Sequence, residues 1–337
     1  MQEIRKTARE RMKGFCRVCP VCNGMACAGQ VPGMGGLGTG SSFTANLDAL
    51  SHWRLNMRVL HDVSDPSTAI AFLGHTLDLP VLAAPIGGVS FNMGGKVTEE
   101  DYIQAVLGGC IDAGTLGCVG DGVPAFIHEA GYEALKALGG KGIPFIKPWE
   151  DKEWREKLDK ALATGTDIIG MDVDAAGLVT LKQMGRPVSP KPPAKLRSII
   201  ADLPARFILK GIMTPDEARL AVDVGAQALV VSNHGGRVLD HAPGVAEVLP
   251  QIATAVKGKI TVMADGGIRS GADVLKMLAL GADVVMIGRP FSVAAVGGLR
   301  DGVVKYLQTI KSELMSAMVL TGTPGVVEVD AGILRVA

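Results

Sequence analysis

A (β/α)8 TIM barrel, an α/β fold, preceded by a short N-terminal cysteine-rich extension is what the sequence predicts, and three observations predict it. From residue 79 onward, short aliphatic runs alternate with amphipathic stretches, separated by turns rich in glycine and polar residues. Eight such runs fit into about 210 residues, the number and spacing of a TIM barrel. Each run is continuously apolar, as parallel strands buried on both faces are, and the helices between them supply right-handed crossovers. A doubly wound open sheet shares this pattern, because alternation alone does not show closure.

The elements follow in order. Residues 1–15, MQEIRKTARERMKGF, have a helical charge pattern and no apolar centre of signal-peptide length. The predicted strands are 79–86, 115–120, 143–148, 167–173, 205–211, 227–233, 259–265 and 283–289. Helical patterns such as those at 97–114, 151–165, 214–225 and 270–281 separate them, and a last helix occupies 299–322. Residues 1–41 are thus read as the extension and 42–337 as the barrel. The glycine-rich PGMGGLGTG (32–40) follows no strand and opens no clear helix, so it reads as an irregular loop rather than a dinucleotide fingerprint.

Composition narrows the function classes. The chain has 337 residues, 47% of them hydrophobic and 20% charged, enough aliphatic content to exclude disorder. Its 34 basic and 34 acidic residues balance, and no basic block lies beside aromatics, so nucleic acid is not an expected partner. No run of 18 apolar residues occurs, so no membrane span is expected, and the cytoplasm is the expected compartment.

A barrel places its chemistry where strands end. Lys147 follows the third strand; Asp172 and Asp174 end the fourth; Lys210 ends the fifth. Ser232, Asn233, His234 and Arg237 close the sixth in SNHGGR. Asp265, Gly266, Gly267 and Arg269 follow the seventh, and Gly288 and Arg289 the eighth. The last two loops, ADGGIRSG and IGRPF, have the position and residue types of a barrel phosphate site, with main-chain N–H groups and two guanidinium groups. His234 is placed to act as a base near neutral pH, Asp174 to orient its imidazolium, and Arg237 to hold a carboxylate or phosphate. His52, His61, His75, His128 and His241 lack such a setting and read as surface or packing residues. No HExxH-type pair occurs, so a zinc hydrolase is unsupported.

These residues resemble a known family. Lys210-Gly211-Ile212, SNHGGRVLD (232–240), ADGGIRSGADVLKMLALGA (264–282) and IGRPF (287–291) look like the FMN-dependent α-hydroxy-acid-oxidising enzymes. That group includes glycolate oxidase, lactate oxidase and flavocytochrome lactate dehydrogenase. The stretch NLDALSHWRLNMRVLHDVS before PVLAAPIGG and the tail ELMSAMVLTGTPGVVEV are similar too, so the resemblance spans roughly residues 42–337. It implies a barrel holding FMN, with the phosphate on Gly267, Arg269, Gly288 and Arg289. Ser232, Asp265 and Gly266 join the cofactor set, and Gly87 gives a backbone contact to the flavin. It also implies that Lys210 partners the flavin N1/O2 edge and that His234 takes the hydroxyl proton while hydride passes to flavin N5. Asp174 would steady the protonated His234, and Arg237 would clamp the substrate carboxylate. A homo-oligomer is the usual state of such enzymes.

The departures concern the substrate. Two tyrosines of the family are missing, one from an N-terminal segment and one after strand 3, where this chain reads FIKPW and offers Lys147 to the substrate. Thr-Val-Asp at the end of strand 4 is Asp172-Val173-Asp174 here, and a further arginine is not evident in AAGLVTLKQMGR. In place of the N-terminal tyrosine segment stands FCRVCPVCNGMAC, with Cys16, Cys19, Cys22 and Cys27 spaced C-x2-C-x2-C-x4-C. Such crowding points to a soft-metal site: an iron–sulfur cluster, whose C-x2-C-x2-C run the first three resemble, or a tetrahedral zinc. Cys110 and Cys118 read as buried packing residues.

The reading is an FMN-dependent oxidoreductase acting on a 2-hydroxy acid and passing electrons onward to a protein or quinone acceptor. Two rivals stand beside it. One is a flavin-dependent isomerase of the type 2 isopentenyl-diphosphate kind, against which SNHGGR argues. The other is a non-catalytic flavin-binding barrel, which would have no need of a base beside an anion clamp.

Overall fold

In the computed structural model, which describes all residues except 179, 180, 182 and 187, eight strands close into one barrel. They are β1 (Val81–Ile86), β2 (Gly117–Val119), β3 (Ile143–Ile146), β4 (Ile168–Asp172), β5 (Arg206–Ile212), β6 (Ala228–Val231), β7 (Thr261–Ala264) and β8 (Val284–Ile287). Strands adjacent in sequence pair in parallel all the way round, and β8 pairs with β1. Closure removes the open-sheet alternative. Seven strands lie inside the runs predicted for them, and β5 extends one residue further, to Ile212.

Two cores hold the fold, as the layered barrel requires. One fills the interior with Leu82, Cys118, Phe145, Ile208, Met263 and Met286, and the hairpin Ile70–Phe72/His75–Leu77 plugs its lower end through Phe72 and Leu77. The other lies between strands and helices and contains Cys110. The helices start where local chemistry directs. Thr98 caps Glu99–Asp112 by accepting from Asp101 N at 3.0 Å, and Ser270 forms a capping box with Asp273 ahead of Gly271–Ala279. The C-terminal helical run, Arg289–Thr321, is broken at Leu299 (φ 48°), so the helix predicted from 299 begins at a real break.

The extension is docked onto the barrel. Helix Gln2–Arg11 lies along the C-terminal helical run, buries Ala8 and Met12 and donates from Arg11 to Val296 O at 2.8 Å. Arg5 and Arg9 then bond carbonyls of Cys19 and of Arg17 and Val18, tying the cysteine loop to this helix. One prediction holds only in part: residues 32–40 are irregular, as expected. The glycine-rich loop at 32–40 does open a helix, Ser41–Ser51, with Gly40 at its N-cap. It is a cover over the C-terminal mouth, not a loose connection, because Val31, Pro32 and Met34 line the cavity below it.

Candidate active site

A cavity of about 270 Å³ opens at the C-terminal ends of the strands. Gly87, Lys147, Asp172, Lys210, His234, Arg237, Asp265, Gly266, Gly267, Arg269, Gly288 and Arg289 all line it. Asp174 and Ser232 stand outside this lining and touch it through His234 and Asp265.

His234 is fixed from three sides. Its backbone is left-handed (φ 56°) and leads into Gly235 and Gly236 of the same hand, a turn that aims the ring away from β6. Ser232 Oγ accepts from His234 N at 3.0 Å and donates to Asp265 at 2.8 Å. Asp174 Oδ1 lies 3.0 Å from Nδ1, closer than the Lys210 ammonium at 3.5 Å, and so favours the tautomer with its proton on Nδ1 and Nε2 free. Below the turn, Asn233 and Asn46 exchange amide hydrogen bonds, locking SNHGGR to helix Ser41–Ser51.

Strand register explains the lysine. β4 and β5 pair Asp172 with Lys210, and their charged atoms meet at 3.0 Å with both residues buried. A bulge at Lys210–Ile212 follows, where Gly211 (φ 110°) lets Asp174 pack close; a Cβ there would lie 2.6 Å from the Asp174 side chain. Burial alone would lower the Lys210 pKa, but Asp172, Asp174 and Asp265 outweigh it and raise it. Burial likewise works against ionised Asp174, and Lys210 and His234 overcome it, so its pKa is lowered. Asp265 has no such direct partner, and burial raises its pKa. Asp172, Asp174 and His234 could together ligate a metal by distance, but the Lys210 ammonium already sits among them.

The other end of the cavity is cationic. Arg289 donates to Met34 O, Gly35 O and Gly235 O, and its guanidinium stacks 3.8 Å from the Phe43 ring centre. Arg237 donates to Gly33 O, Gly35 O and Asn92 Oδ1. Arg269 donates to Ile268 O and Cys22 O, while its buried Nε has no partner. Among the described residues no carboxylate pairs with any of the three. Burial, then the charges of Arg237 and Arg269, push the Arg289 pKa down to about 9. Clustered, desolvated guanidinium groups without counter-charge are costly unless an anion joins them. A phosphate monoester such as that of FMN fits.

The glycines of this end divide. A Cβ on Gly266 or Gly267 would strike Asn46 at 2.7 and 2.5 Å, so the approach of helix Ser41–Ser51 demands them. A Cβ on Gly288 would meet only ordinary contacts at 3.5 Å or more. Gly87 is needed against Ile127, whose side chain a Cβ would approach to 2.7 Å.

Sequence reasoning missed Asp121 and Glu99. Asp121 follows β2 and accepts from Gly122 N, Lys147 N, Trp149 Nε1 and Lys157 Nζ. The signal was there, a carboxylate ending a buried strand like its counterparts elsewhere. Glu99 accepts from Gly88 N (2.8 Å) and Val89 N (2.7 Å) and shapes the Gly87 loop. Nothing in its helical position signals that. The five other histidines are outside the cavity lining; His128 is buried beside Lys157 and Asp121.

The four cysteines share one loop next to the arginine end, with Cys22 Sγ 3.7 Å from Arg269 Nη2. No three of their sulfurs lie mutually within 4.8 Å. Sulfurs around one tetrahedral zinc would be about 3.8 Å apart, given bonds of about 2.3 Å. The loop would have to draw its sulfurs together to hold a single zinc ion.

Comparison with known proteins agrees with this geometry. The sequence pattern of the FMN-dependent dehydrogenase family matches residues 33–193 and 179–336. The match begins beyond the four cysteines. An L-lactate dehydrogenase of Xanthomonas campestris pv. campestris (strain B100) is 32% identical, over 86% of this chain and 88% of its own. An L-lactate oxidase of Lactobacillus jensenii is 30% identical, over 86% of this chain and 77% of its own. The crystal structure of a mandelate oxidase superposes with a TM-score of 0.82 at 29% identity, covering 100% of this chain and 97% of that one. The chain belongs to the FMN-dependent dehydrogenase family and is an FMN-dependent oxidoreductase.

Proposed function

We propose that this enzyme oxidises a 2-hydroxy acid to the 2-oxo acid with His234 as the base. The observation that carries the reading is His234 held by Asp174 at 3.0 Å, its ring in a cavity shared with Arg237 and Lys210. The substrate carboxylate pairs with the donors of Arg237 that the loop carbonyls and Asn92 leave over. The substrate hydroxyl then points at Nε2, which takes its proton, and Asp174 stabilises the imidazolium so formed. When bound, FMN supplies the acceptor for the hydride that leaves the substrate carbon. Arg269, Arg289, Gly267 and Gly288 hold its phosphate, Gly87, Asp265 and Gly266 flank it, and Lys210 offers a fixed positive charge, with Ser232 supporting from beneath.

We further propose that Cys16, Cys19, Cys22 and Cys27 carry an iron–sulfur cluster, which spreads its thiolates more widely than a single zinc. Electrons would then leave to a one-electron protein or quinone acceptor, the behaviour of a dehydrogenase. An anaerobic visible spectrum of the purified enzyme, with iron, zinc and sulfide analysis, tests both proposals. Bleaching of the flavin by a 2-hydroxy acid supports the first; a flavin that no such acid bleaches overturns it. Iron and sulfide in stoichiometric amounts support the second, and zinc or no metal refutes it.

A further inference from the structure

Lys147 is a buried ammonium for which the site so far has no use. It follows β3, is 9% exposed and lines the cavity together with His234 and Arg237. Its Nζ donates to the main-chain oxygen of Asp121, a neutral partner. Among the described residues no carboxylate approaches it within ion-pair distance.

The nearest acid is already satisfied. Asp121 takes four hydrogen bonds, and two cations share its charge, Lys157, whose Nζ bonds Oδ1 directly and also meets Glu153, and Lys147 at longer range. The three carboxylates of the mouth, Asp172, Asp174 and Asp265, gather round Lys210 instead. Lys147 nevertheless lines the same cavity as His234, whose ring Asp174 holds. Two buried lysines share one buried Asp121, and Lys147 has a carbonyl as its one direct partner, so an anion arriving in the cavity would find an ammonium free to bond it. Arg237 is engaged by the loop at 33–35 and supplies one anion clamp; Lys147, from β3, supplies a second.

We propose that the substrate is a 2-hydroxy dicarboxylic acid, its first carboxylate on Arg237 and its second anionic group on Lys147. The inference rests on the 2-hydroxy-acid reading above and narrows it. A monocarboxylate would leave the ammonium as costly as before. A dicarboxylate forms a charge-assisted hydrogen bond there, which favours it by about 10- to 100-fold.

The test uses flavin-loaded enzyme and two matched pairs of acids, malate against 2-hydroxybutyrate and 2-hydroxyglutarate against 2-hydroxyvalerate. Anaerobic flavin reduction gives the rates, and perturbation of the flavin spectrum by the non-reacting diacid malonate gives an independent binding readout. The expected result is a preference for the diacids of about tenfold or more, malonate binding included. In Lys147→Met that preference collapses toward one, and in Lys147→Arg it is largely restored. Equal rates with monoacids and diacids in the native enzyme overturn this inference and leave the 2-hydroxy-acid reading intact. A Lys147→Met variant that loses both classes in equal proportion also overturns it, because Lys147 then serves the shared carboxylate or the flavin. Flavin left oxidised by all four acids sinks both.

Discussion

Asp174 holds one nitrogen of His234 and leaves the other to serve as the proposed base. Its carboxylate accepts from Nδ1, and an amide in its place can present a donor to that nitrogen and stabilise the wrong tautomer. Asp174→Asn should therefore slow substrate-driven flavin bleaching by about 100- to 10,000-fold while flavin content stays at the native level. Stopped-flow reduction checks the rate and the visible spectrum the content; a slowdown under about tenfold would remove Asp174 from the mechanism. Arg289 gives a second prediction, with a sign. Without an anion its pKa is lowered to about 9, and a bound phosphate favours its charged form and raises that value. Between the two values binding takes up a proton, so flavin affinity should weaken as pH rises through about 9 and be insensitive to this group below it. Equilibrium titration of flavin-free protein at several pH values checks this, and Arg289→Gln should lose the dependence. At this scale the sequence disclosed those charged residues whose neighbours are also close in sequence, such as His234 and Arg237. The pairing of Asp172 with Lys210 was hidden, because it depends on the register of β4 against β5.

The loops of the mouth are set by elements that carry no catalytic group. Glu99 begins a helix, yet its carboxylate reaches back to Gly88 N and Val89 N and fixes the turn that contains Gly87. Removing it leaves two buried N–H groups unpaired, so Glu99→Ala should cost about 3 kcal/mol of stability. The same variant should bind FMN more weakly, because the Gly87 loop loses its anchor. Denaturant melts and flavin titration check the two effects together; lost stability with native affinity would show the loop to be irrelevant to the cofactor. Strands and most helices were legible in the sequence, since continuous apolar runs, Thr and Ser caps and Pro at helix starts are local signals. The loop at 32–40 was not. Its carbonyls serve Arg237 and Arg289, residues more than two hundred positions away in sequence, and no local pattern encodes that. The eventual helix after Gly40 was masked by a glycine-rich approach that argues against order.

Across the whole molecule, charge is balanced but unevenly distributed. The strand ends of β4, β5 and β7 bring Asp172, Asp174, Asp265 and Lys210 together, and the opposite end gathers Arg237, Arg269 and Arg289 with no carboxylate among the described residues. The fold thus carries a preformed anion site whose repulsion burdens the protein when no anion is bound. Simple anions should relieve it. Inorganic phosphate should raise the melting temperature of flavin-free protein in a saturable way, while chloride at equal ionic strength should do much less. At a hundred times its dissociation constant, the ligand contributes about 2.7 kcal/mol by mass action, enough to read in a thermal melt. FMN should then suppress most of the phosphate effect, because its phosphate takes Arg269 and Arg289 and leaves only Arg237, the proposed substrate clamp. Arg269→Gln should shrink the shift, since its unpartnered Nε is part of the deficit. A phosphate effect that persists unchanged with FMN bound would move the anion site elsewhere on the surface, and no effect at all would mean that the arginines are adequately served by the loop carbonyls alone.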